Sequence, residues 1–230
     1  MKLAAVHQRV LLILAFAAAL PASARTIPAL QQSPVPDVQV FDEDAQPASL
    51  RSLLNRPGGD PIIFLPIYTR CTASCPVLTH NLATALAGMN PPQSYRVVIF
   101  SFDPLETTES LRLYRARQLV PPDWKIVRSN PTEISRLFEF FRYSIMSQNG
   151  ALVHPNEVFL LDSNLTWRWT LLGEDWSARD LADAIAQTRS PGIVARMNAS
   201  PERLAWIGFA TALLSLSIAG AWMIWRKPFA

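Results

Sequence analysis

Cysteine and histidine are scarce in this chain of 230 residues, which carries two of the first and three of the second. With no other cysteine pair to complete a closed tetrahedral set, a structural zinc site is disfavoured. Charge of one sign is lacking too. The formal net charge of +3 falls to +1 once Lys2 and Arg9 are set aside, so despite a pI near 9.1 no concentrated basic face argues for nucleic acid. No internal repeat and no low-complexity tract is present. About 180 residues remain between the two ends, enough for one ordinary domain that buries its core without disulfide help.

The ends carry the long apolar runs. Residues 1–24 open with Lys2 and Arg9, continue through an apolar stretch at 10–20 and finish on Ala22-Ser23-Ala24, small residues at a peptidase spacing. The pattern predicts a signal peptide cleaved before Arg25. An uncleaved anchor is the alternative, although the run is about half of what a bilayer requires. Residues 204–225 contain no charged side chain and, at 1.5 Å rise per residue, are long enough for a hydrocarbon core of about 30 Å. They read as one transmembrane helix, with a buried core helix as the plainer alternative. Trp206, Trp222 and Trp225 suit interfacial belts, and Arg226-Lys227 assign the tail 226–230 to the cytoplasm. The expected arrangement is a single-pass inner-membrane protein whose domain, 37–189, lies on the periplasmic or extracytoplasmic side. Linkers at 25–36 and 190–203 would flank that domain.

Within the domain, "DVQVFD" (37–42) alternates like a strand, and "PIIFLPIY" (61–68) is a buried-strand run in which Pro66 should lie at an edge or strand end. The apolar positions of 76–89 recur at helical spacing. "YRVVIFSF" (95–102) reads as a second buried strand, followed by a helix capped at Thr107 or Thr108. Asn130, Pro131 and Glu133 open a third helix, 157–173 reads as a hairpin about Ser163-Asn164, and Ser177 with Asp180 caps a last helix. This order predicts an α/β class: a thioredoxin-like three-layer sandwich with insertions, plus the one C-terminal transmembrane helix. In open sheets of this kind, functional groups gather beyond the carboxyl ends of parallel strands. Cys71 stands at such an end.

The two cysteines sit in "YTRCTASCPVLTHNL" (68–82). A structural disulfide between Cys71 and Cys75 would close a very short loop and stabilise little. If 71–75 is the first helical turn or the loop into it, both sulfurs project to one side, with Cα atoms about 6 Å apart. A helix N-terminus and Arg70 would favour thiolate, the form needed both for exchange chemistry and for metal binding. A redox-active pair and a soft-metal site therefore both remain open, and two thiolates with one imidazole would suit Cu(I). His80 points about 140° away from Cys75 by helical geometry and reads as a surface residue. His154, in a loop before the hairpin, would pack beside the cysteine loop in a thioredoxin-like fold. Met89 and Met146 read as core filler, Trp167 and Trp169 as residues packed under a helix, and Glu106 with Glu109 as a solvated helix face.

The strand ending in "YTRC", the motif "CTASCP", the Asp-Pro of "SFDP" and a histidine ahead of "VFLLD" resemble the Sco/SenC family of thioredoxin-like copper proteins over about residues 35–190. The resemblance implies one copper ion, Cu(I) or Cu(II), held by Cys71, Cys75 and His154. It also implies a partner, the copper-site subunit of a haem-copper respiratory oxidase, whose binuclear site the protein would help to assemble. A thiol-disulfide oxidoreductase acting through the Cys71/Cys75 pair on that partner's cysteines is the competing class. Thr72 and Thr107 stand where relatives often carry proline and a second aspartate, with Glu106 beside the latter.

Overall fold

The computed structural model of the chain describes residues 26–29, 33–54, 59–148 and 151–189. In chain order its elements are β1 (Thr26–Pro28), β2 (Gln39–Asp42), β3 (Pro47–Ser49), α1 (Leu50–Leu54), β4 (Ile62–Ile67), α2 (Ser74–Ala87), β5 (Arg96–Ser101), α3 (Thr108–Gln118), β6 (Lys125–Arg128), α4 (Pro131–Phe141), β7 (Met146–Gln148), β8 (Ala151–Val153), β9 (Glu157–Leu161), β10 (Trp167–Leu172) and α5 (Ala178–Arg189).

The apolar runs predicted as buried strands are the centre of an eight-stranded sheet of order β1-β10-β9-β4-β5-β6-β2-β3. Every residue of β4 is buried. β4, β5 and β6 run parallel, while β9 joins β4 from the other side in the antiparallel sense. Pro66 sits inside β4, and its missing N–H is tolerated because β9 pairs only with 62–64. The ladder on that side has ended before the proline is reached. The crossovers from β4 to β5 and from β5 to β6 are α2 and α3, which touch one another, and α5 packs against α2. After β6 the chain continues into α4. There Phe141 stacks on Phe159 at 4.1 Å and 5°, and Phe138 meets Phe100 edge-on at 5.8 Å. These aromatic contacts hold the third layer of a thioredoxin-like sandwich, in which α3 and β6 form the insertion.

The predicted caps are in place. Thr107 forms a reciprocal capping box with Ser110, Asn130 accepts from the N–H of Glu133 with Pro131 behind it, and Ser177 and Asp180 exchange hydrogen bonds. Elsewhere the reading of the sequence is corrected. Part of the expected linker 25–36 is an edge strand: β1 pairs with β10, and Pro34 bridges Thr166. Its prolines suit an edge, where an absent donor leaves nothing unpaired. The predicted transmembrane helix is also corrected, since no helix among the described residues is long and apolar enough to cross a membrane. The longest of them, α2, has 14 residues and reaches about 21 Å against a core of about 30 Å. The segments 1–24 and 204–225 lie outside the described residues.

Candidate metal centre

The site forms where β4 ends. After Ile67 the chain turns through Thr69 and Arg70, and the N–H of Cys71 donates to the carbonyl of Tyr68 at 3.1 Å. Cys71 therefore belongs to the turn before α2, and Cys75 to the first turn of the helix itself. The N–H of Cys75 points back at Cys71 Sγ, 3.4 Å away. Ala73 at the N-cap has no side chain to offer the helix start. The Cys71 sulfur occupies the place a capping oxygen would take.

Both cysteines are free and buried, and they are not equivalent. Cys71 is lowered to about 4, first because the Cys75 thiol donates to it and then because the N–H groups of Cys75 and Ala73 and the hydroxyl of Tyr68 do the same, against the opposing effect of burial. Cys75 is raised, because its proton is engaged by Cys71 and because burial disfavours a second thiolate. The pair is thus one thiolate hydrogen-bonded by one thiol. Arg70, expected to favour that thiolate, is committed elsewhere. Its Nε and Nη2 donate to Asp103 Oδ2 at 2.8 and 2.6 Å, neutralising a carboxylate whose side chain is 2% exposed.

The third donor arrives from far along the chain. β7 and β8 form a separate hairpin, and His154 follows it directly, 79 residues after Cys75. The half-buried ring packs edge-on against Phe102 at 5.0 Å and Tyr68 at 5.9 Å, which sets Nε2 at 3.5 Å from Cys75 Sγ. Among the described residues, Cys71, Cys75 and His154 are a group whose ligand atoms all lie within 4.8 Å of one another. One metal ion could reach all three with small side-chain adjustments. Two sulfurs and an imidazole nitrogen are a soft donor set that fits copper. His80 is exposed on α2, as its helical phase predicts.

Three supports were invisible in the local sequence. Glu106, expected on a solvated face, is 7% exposed. Its carboxylate accepts from the N–H of Thr69 at 3.0 Å, the hydroxyl of Thr69 at 2.6 Å and the hydroxyls of Ser101 and Ser110, so it ties the ends of β4 and β5 and the start of α3 together. Tyr114 and Thr79 are hydrogen-bonded to each other at 2.6 Å and lie 3.1 and 2.9 Å from the carbonyl of Cys75, so their two protons are shared among three oxygens that fix the helix start from behind. Met146, expected in the core, is 63% exposed and lies in register with Val153 on the hairpin that carries His154, whereas Met89 is buried as expected. For Glu106 alone the wider stretch "SFDPLE" held a hint, an acidic residue next to an expected aspartate position, and its burial was not part of it.

The fold and the site together define a thioredoxin-like protein with a cysteine pair and a distal histidine assembled as a soft-metal centre. Residues 39–190 match the SCO1/SenC family model, and the chain belongs to that family. A candidate electron transfer protein from Aquifex aeolicus VF5 is similar at 26% identity and a TM-score of 0.64, over 70% of this chain and 96% of that one. ScoI of Arabidopsis thaliana, solved with copper bound, is 18% identical with a TM-score of 0.58, over 68% and 98% of the two chains. BsSco, a member of the Sco family of cytochrome c oxidase assembly proteins in which a disulfide switch is identified, is 17% identical with a TM-score of 0.57, over 68% and 94%. No curated protein matches the chain.

Proposed function

We propose that this domain takes one copper ion as its cargo on Cys71, Cys75 and His154 and assists assembly of the binuclear copper site of a haem-copper respiratory oxidase. The observation that carries the reading is the donor set, two sulfurs and one imidazole nitrogen within 4.8 Å of one another. Soft thiolates with imidazole favour copper, and a relative in the same family is solved with copper bound. Cys71 meets the ion already ionised, Cys75 gives up its proton on binding, and His154 contributes a ring nitrogen. The oxidase partner rests on the family and on BsSco. A location outside the cytoplasm rests on the signal pattern of 1–24.

The asymmetry of the cysteines favours one second reading, thiol-disulfide exchange. The Cys71 thiolate would attack a partner disulfide and release one partner thiolate. Cys75 would then lose its proton and attack the Cys71 sulfur, freeing the second partner thiolate and leaving a Cys71–Cys75 disulfide, two electrons having passed to the partner. Anaerobic titration of the reduced full chain with Cu(I), with thiols counted before and after, separates the two. Copper delivery predicts one ion per chain with both thiols retained, and loss of uptake in Cys71→Ser and Cys75→Ser. Exchange predicts no tight uptake, and a trapped mixed disulfide in Cys75→Ser.

A further inference from the structure

Tyr143 has no part in the donor set, yet it touches the one donor that an imidazole ring supplies. It follows α4, whose last turn closes on Arg142 in the left-handed region at φ 54. Its ring is 5% exposed, held by Phe138 at 5.0 Å, Phe159 at 5.8 Å and Phe102 at 6.0 Å. The hydroxyl therefore emerges from a rigid socket. It donates to the carbonyl of Pro155 at 2.9 Å and stands 2.8 Å from His154 Nδ1, which itself lies 3.0 Å from the same carbonyl.

All three are hydrogen bonds together only when a single Nδ1–H is shared between the carbonyl of Pro155 and the hydroxyl of Tyr143; the other tautomer, with Nε2–H toward Cys75 Sγ and the Tyr143 hydroxyl donating to Nδ1, leaves Nδ1 facing the Pro155 carbonyl with no hydrogen between them. A carbonyl oxygen only accepts, so the Nδ1–Pro155 contact is a hydrogen bond only with the hydrogen on Nδ1. In the shared arrangement the single proton of the phenol goes to the carbonyl, and its oxygen meets Nδ1 as an acceptor. In the neutral ring Nε2 is then bare, and Nε2 is the nitrogen 3.5 Å from Cys75 Sγ. Donation of the remote ring N–H to a neighbouring group is how proteins fix the tautomer and angle of a ligating histidine.

We infer that Tyr143 is a positioning residue of the centre, which holds His154 in the Nδ1–H tautomer with the Nε2 lone pair directed at the cysteine pair. Its link to Pro155 also pins the loop that carries the histidine, so one hydroxyl sets both the ring's chemistry and its place. The inference rests on the proposed copper reading for its purpose and on hydrogen-bond geometry alone for its content.

Tyr143→Phe keeps the buried ring and removes only the oxygen. Long-range ¹H–¹⁵N correlation on the reduced, copper-free full chain at pH 8 distinguishes the protonated from the bare ring nitrogen, with His154 identified by its loss in His154→Ala. The wild type should show hydrogen on Nδ1. The variant should show a measurable share of the Nε2–H form and an affinity for Cu(I) lower by about 10–100-fold in chelator competition. Hydrogen on Nε2 in the wild type overturns the inference whatever the variant does. So does a variant with wild-type spectra and an affinity within twofold. A wild type that takes up no copper removes the functional reading, while the ring spectra still decide the role of Tyr143.

Discussion

Replacing Glu106 by alanine removes the acceptor on which the end of β4, the end of β5 and the start of α3 converge. Four donors lose their partner: the N–H and hydroxyl of Thr69, at 3.0 and 2.6 Å, and the hydroxyls of Ser101 and Ser110. Thr69 and Ser101 are 3% and 0% exposed, so water does not readily take over. Each buried donor left alone costs about 1–3 kcal/mol, and the hydroxyls recover part of this by rotating. A loss of about 3–5 kcal/mol follows for Glu106→Ala, a large share of the roughly 5–15 kcal/mol that holds a domain together. Glu106→Gln behaves differently. Its carbonyl can accept from the Thr69 N–H and Ser101, while its amide donates to the rotated hydroxyls of Thr69 and Ser110. Only the assistance of the charge is lost, about 1–2 kcal/mol. Urea unfolding of the reduced full chain, followed by tryptophan fluorescence, should rank wild type above glutamine above alanine. An alanine variant within about 0.5 kcal/mol of wild type, or a glutamine variant as damaged as alanine, would refute the assignment of Glu106 as the brace of the Cys71 turn.

The unequal thiols make two further outcomes measurable. Because Cys71 is lowered to about 4, its alkylation by iodoacetamide should be nearly independent of pH from 6 to 9, where an ordinary thiol gains about tenfold per unit below its pKa. In Cys75→Ala the largest cause of the lowering is gone, so the pH slope should return. Uptake of Cu(I) at pH 8, followed with an indicator in weak buffer, should release about one proton per ion, from the raised Cys75 rather than the ionised Cys71. Two protons per ion would contradict the asymmetry.

The parts of the fold legible in the sequence are those governed by nearest neighbours along the chain. The caps at Thr107, Asn130 and Ser177 are local contacts over three residues, and the buried runs at β4 and β5 declare themselves by composition. The cysteine spacing showed the chemistry that two thiols allow and left its use open. What escaped depends on distant pairing. Glu106 looks like one more acidic residue near a helix start, and only the return of Thr69, 37 positions away, buries it. The β7–β8 hairpin is short and wholly exposed on β7, so no alternation of apolar residues announces it. β1 becomes a strand only because β10 leaves an edge for it. His154 joined the site through resemblance to a family, and the geometry now supplies a reason in the packing of its ring on Phe102 and Tyr68.

The central claim is that one imidazole and two sulfurs share a single ion, and X-ray absorption at the copper edge of the Cu(I)-loaded full chain reads that directly. The account predicts two sulfur neighbours and one nitrogen neighbour in the wild type, with the nitrogen missing in His154→Ala. A spectrum with sulfur alone, or one that His154→Ala leaves unchanged, would contradict it.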